Sequence, residues 1–142
     1  MTELAIRVAA AATLIWLGMV LAISFLEAPL KFHAEGLELR VGLAIGRIVF
    51  RALNIAEVAW AVVIAVCLIV IGVSGPVLLL AALTAVLLGV QLLVVRPRLN
   101  RRSARVLAGH DAPRSRAHHA FIGLEALKVA ALLALGAAFL AG

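Results

Sequence analysis

Cysteine occurs once in the 142 residues, acidic side chains number only 7, and charged residues of both signs make up 14% of the chain. The single Cys67 excludes an intramolecular disulfide and, lying within an apolar run, says nothing about redox surroundings. The shortage of charge excludes more. A typical soluble domain is about one-quarter charged, whereas this chain is 65% hydrophobic. A chain of this length cannot hide so much apolar surface within itself. The missing solvent is lipid. Catalytic signatures are also lacking: Ser24 and Thr84 stand alone in apolar sequence with no adjacent base, and their hydroxyls are expected to bond back to the preceding helical turn. No A-x-A-like cleavage site follows the first apolar run, which ends in SFLEAPLKF, so that run is expected to be retained rather than removed as a signal peptide.

The apolar residues are grouped. Positions 8–26 and 58–95 contain no ionisable group other than the lone thiol. About 20 apolar residues cross a bilayer as a helix, so the longer run is two crossings and a turn, which Gly72, Ser74, Gly75 and Pro76 supply. The second crossing then draws in Glu57, and the last draws in Glu125 and Lys128. The expectation is an all-α membrane protein of one domain, with four transmembrane helices in an up-down bundle over about 8–26, 52–71, 77–95 and 120–140.

Between the first two crossings, Arg40, Arg47 and Arg51 recur at spacings of seven and four, with Asn54 continuing the stripe. The rest of 37–50 is mostly apolar, which predicts an amphipathic interfacial helix there. Gly42 and Gly46 make a G-x-x-x-G step suited to close helix approach.

Basic residues orient the bundle. Lys31, Arg40, Arg47 and Arg51 lie in the first connection, and Arg96, Arg98, Arg101, Arg102, Arg105, Arg114 and Arg116 in the third, 96–119. The positive-inside rule makes both connections cytoplasmic and both termini external, in a plasma or inner membrane. Arg98, Arg101, Arg102 and Arg105 are suited to anionic lipid headgroups. With no aromatic-interleaved platform, nucleic acid is not an expected partner; the lipid bilayer is, together with a second copy or a larger membrane protein.

Glu57 and Glu125 each lie five residues into a helix that starts at the cytoplasmic side, about 8 Å deep at 1.5 Å per residue. Glu27 and Gln91 close the other two crossings at that end, so each helix contributes a polar group to one basin. Glu125 and Lys128, three apart, are expected to pair, with Lys128 also free to snorkel toward water. Arg47 and Arg51 are expected to tune the carboxylates. A metal reading would join His118 to Glu125, but the spacing matches neither H-E-x-x-H nor Glu-x-x-His. His33, His110, His118 and His119 all lie in or beside connections, where axial haem ligands would not face each other. No cofactor is expected. Trp16 and Trp60, lying inside the crossings, are assigned to packing.

FLEAPLKF, GRIVFRALN and SRAHHAF together resemble the small four-helix membrane family of unassigned function that includes transmembrane protein 205, itself distantly similar to copper-resistance proteins of the CopD type. Phe25, Pro29 and Phe32 match that family's positions after the first helix, Gly46 and Phe50 the step into the second, and His118 the opening of the fourth. Glu125 departs from it, standing where a neutral polar residue is expected. The resemblance implies the fold rather than an activity. Three functions fit: a transporter-like or channel-like protein whose carboxylates handle a cation or proton; a non-catalytic accessory or scaffolding subunit, for which so thin a bundle is suited; and a metal-handling or enzymatic membrane protein.

Overall fold

The computed structural model describes residues 1–110 and 116–142, and among these the regular structure is all helix with no strand. Four helices are long and apolar enough to cross a membrane: α1 (Thr2–Lys31), α2 (Leu39–Ile71), α3 (Pro76–Leu107) and α4 (Arg116–Ala141). The turn between α2 and α3 is the one that its glycines dictate. Gly72, at φ 71°, donates its N–H to the Leu68 carbonyl at 3.0 Å and ends α2 in a left-handed cap; Gly75 adopts φ 73° and Pro76 opens α3.

Two expected boundaries are corrected. Residues 37–50 do not form a separate interfacial helix: from Leu39 onward they are the first turns of one unbroken 33-residue helix. No proline interrupts α2, and glycine inside a helix costs only about 1 kcal/mol, too little to break a long apolar helix. The third connection is mostly helical as well, since α3 continues through Arg96–Leu107. Its remainder includes Asp111 and Arg114, which lie outside the described residues.

Helices α1 and α3 survive their internal prolines by widening. A proline lacks an N–H and its ring presses on the carbonyl four residues back. Each helix takes up a π-helical stretch just before it, Leu21–Glu27 ahead of Pro29 and Gln91–Val95 ahead of Pro97. Such wide turns are frequent at functional sites. The two stretches are related by position. Pro97 follows Pro29 by 68 residues, Val95 follows Glu27 by the same 68, and Glu125 follows Glu57 by 68 again. The α1–α2 and α3–α4 pairs therefore share one layout, and Leu88, Leu132 and Leu135 fill the buried positions that Val20, Ile64 and Cys67 fill in the first pair.

The core is made narrow by alanine. Ala5, Ala9, Ala10 and Ala12 of α1 let Trp16, Leu17 and Val20 meet Ile64, Leu68, Leu132, Leu135 and Phe139. Large apolar side chains cover the outside, with Ile69 and Leu93 each 80% exposed, so the surface suits an apolar medium. The Gly42–Gly46 step is used within the chain. A Cβ at Gly42 would overlap the Phe32 ring, and one at Gly46 would lie 3.2 Å from Lys31 Nζ. Because Phe32 is exposed and can swing aside, Gly42→Ala is expected to cost about 1 kcal/mol in unfolding measurements in detergent, the low end of overpacking.

Candidate functional site: a buried charge centre

Along the inward face of α2, Phe50, Leu53 and Glu57 follow at helical spacing, and on α4 Phe121, Glu125, Lys128 and Leu132 do the same. Between them sits Gln91, the first residue of the wide turn in α3. Lys128 is fully buried, Glu57 and Glu125 are each 2% exposed and Gln91 4%. The Lys128 ammonium contacts three oxygens: Glu57 Oε1 in a short ion pair, Gln91 Oε1 at 2.7 Å and Glu125 Oε1 at 2.9 Å. Gln91 turns its amide the other way, donating Nε2–H to Glu125 Oε2 at 3.1 Å. Trp16 of α1, buried in turn, donates Nε1–H to Glu57 Oε1 at 3.0 Å. All four helices thus close on one centre.

The chemistry of this arrangement follows from its inventory. A lysine has three N–H donors and no acceptor; here three oxygens surround it, replacing the water that snorkelling would have supplied. Lys128 therefore does not reach for solvent as its sequence position had suggested. Its contact with Glu125 Oε1 is an ion pair, and among the described residues that oxygen accepts no aligned hydrogen bond. Two carboxylates share one ammonium, which leaves the immediate centre one negative charge in excess.

Arg96 supplies the balancing charge. Its guanidinium lies 4.6 Å from the Phe50 ring centre and 4.7 Å from that of Phe121, within electrostatic range of Glu125 and Glu57. The two rings meet edge to face at 5.7 Å. Arg96 faces inward because of helical phase. Arg98, Arg101, Arg102 and Arg105 fall within about 100° of one another on the outer side, and Arg96 lies about 160° from Arg98.

The expected basin is thus gathered in part. Glu57, Gln91, Glu125 and Lys128 come together. Glu27 does not join them: it pairs with Lys31 of its own helix at 3.5 Å, partly exposed. Asn54 is half-buried with no hydrogen bond to the centre among the described residues. Arg47 and Arg51 are exposed, roughly 80–120° round α2 from Glu57, and so do not face the carboxylates. His118 is half-buried beside His119, the rings 5.9 Å apart, and no group of three metal-ligating side chains occurs among the described residues. Arg98, Arg101 and Arg105 are exposed and Arg102 half-buried.

Sequence reasoning missed Trp16, assigned to packing, and Arg96, counted only as an orienting charge. The 68-residue recurrence of proline and glutamate was the signal available. Thr84 bonds back to the Leu80 carbonyl at 2.8 Å as its setting implies, whereas Ser24, inside the first wide turn, has no hydrogen-bond partner among the described residues. Comparison with protein-family models, curated proteins and solved structures finds no match to this chain.

Proposed function

We propose that the chain is an integral membrane protein, an up-down bundle with both termini outside, which handles a proton at the Glu57–Glu125–Lys128 centre from its cytoplasmic end. The observation that carries this reading is two buried carboxylates sharing a single ammonium. Intramembrane ionisable groups are costly and mark ion and proton paths by default. Glu125 Oε1, in ionic contact but without an aligned donor among the described residues, is the atom to receive the proton; Lys128 then stays with Glu57 and Gln91, and the two carboxylates no longer compete for one ammonium. A metal cation fits the centre less well, since Lys128 already holds the position between the carboxylates.

The basic ends of α2 and α3 support the orientation by the positive-inside rule. The outward stripe of Arg98, Arg101, Arg102 and Arg105 suits anionic headgroups of the same leaflet, and the resemblance to the transmembrane protein 205 family fits the same four-span arrangement. A second reading, an accessory or scaffolding subunit, is favoured by the closed packing of the centre, in which each charge is met internally.

Proteoliposomes loaded with a pH-sensitive dye separate the two. Wild-type protein is expected to dissipate an imposed pH gradient, and Glu125→Gln to slow this at least about 100-fold, the low end of the range by which positioned acid–base groups act. Equal rates for wild-type and empty vesicles contradict the proton reading and leave the scaffold.

A further inference from the structure

The buried centre has one polar side. Phe121 lies one turn before Glu125 on α4, Phe50 two turns before Glu57 on α2, and Arg96 just past the wide turn that begins at Gln91 on α3. At 1.5 Å per residue these three stand about 6 to 10 Å from the centre, all toward the same basic end. In the other direction the described interior is apolar: Ile64, Cys67, Leu132 and Leu135. The two hydroxyls there, Thr13 and Thr84, are committed to carbonyls of their own helices at 2.8 Å. Phe50, Arg96 and Phe121 therefore lie between the carboxylates and the basic end. The α1 groups at that end are the Glu27–Lys31 pair, partly exposed and mutually neutralised.

We infer that Arg96 is the residue that sets which positive charge reaches the centre: its guanidinium, held by two rings on the basic side of the carboxylates, repels metal cations and leaves the site to protons. The inference rests on the proton reading above and gives it a selectivity. The physical ground is simple. A metal ion approaching from that end must bring its whole charge past a guanidinium held by two rings, where partly buried charges are little screened. A proton need not travel as a free ion, since it passes along hydrogen bonds to a carboxylate. Cation–π contact with Phe50 and Phe121 holds the guanidinium in place, an interaction suited to its planar, delocalised charge. Helical phase makes this placement specific to Arg96, because the four arginines that follow it face away.

Trp16 reports on the centre directly, as its indole bonds Glu57. In Trp60→Phe protein, Trp16 is the only tryptophan, and its fluorescence in detergent can be quenched by caesium, a cation, or by acrylamide, which is neutral. Replacing Arg96 by glutamine is expected to raise the caesium quenching constant about tenfold, the lower end of electrostatic focusing effects, and to change acrylamide quenching much less. Arg96→Lys, which keeps the charge, is expected to stay near the parent value. Should Arg96→Gln fail to fold, Phe50→Leu removes one of the two rings with the charge retained and is expected to raise caesium quenching by a smaller factor. Caesium quenching that is unchanged in Arg96→Gln and Phe50→Leu, or that rises equally in the lysine and glutamine variants, overturns the inference. Proton flux in proteoliposomes is measured separately on the same variants. Absent proton flux with the quenching pattern intact contradicts the proton reading alone; intact proton flux with caesium quenching indifferent to Arg96 contradicts the filter alone.

Discussion

Lys128→Met is expected to destabilise the protein by about 3–5 kcal/mol, the cost of removing one partner from a buried charge pair. The side chain is fully buried, and its ammonium is the shared cation of Glu57, Glu125 and Gln91. Methionine fills a similar volume, so the loss is electrostatic rather than a matter of packing. Two carboxylates are left in a dry interior with only Arg96 nearby. Neutralising the acids as well should reverse most of the damage. The triple variant Lys128→Met/Glu57→Gln/Glu125→Gln is expected to return to within about 2 kcal/mol of the original chain, because replacing a whole buried ion cluster is often close to neutral. Glutamine at 57 keeps an oxygen for the Trp16 N–H. Unfolding in detergent checks both, and a triple variant no more stable than Lys128→Met contradicts the assigned pairing.

Leu132→Ala carries the next largest effect, about 2–5 kcal/mol, and through a different force. Leu132 stands one turn beyond Lys128 on α4 with no exposed surface, and packs in the cluster that holds Trp16, Ile64 and Leu135. Truncation removes dispersion contacts and leaves a cavity that a close-packed interior cannot fully collapse. The neighbouring Leu133 is 55% exposed on the outer side, so Leu133→Ala should stay within about 0.5 kcal/mol. If the two substitutions cost the same, α4 is turned differently from the orientation described.

What the sequence disclosed followed from the strength of each signal. Long apolar runs and the Gly72–Pro76 turn are strong local signals, and they located four helices and the α2–α3 connection. The crossings were bounded near 52 and 95 because apolar length was matched to the width of a bilayer, although arginine is a good helix former and extends a helix beyond its apolar part. Glu57, Gln91, Glu125 and Lys128 were legible as a group, since level positions at one end of a bundle follow from counting residues. Of their partners only the Glu125–Lys128 pair, three apart on one helix, was legible as well. That Trp16 bonds Glu57, that Lys128 turns inward, and that Arg96 rather than Arg47 or Arg51 faces the acids all depend on helical phase between different helices. The wide turns ahead of Pro29 and Pro97 shift that phase by an amount that spacing on a regular helix does not foresee.

The neutral triple variant also gives the most direct test of what the centre is for. Reconstituted beside the original chain at matched protein content, with folding verified by its unfolding transition, it is expected to leave an imposed pH gradient standing as long as empty vesicles do. The original chain is expected to collapse that gradient. A folded neutral variant that moves protons as fast as the original would show that the buried charges are not the proton's route.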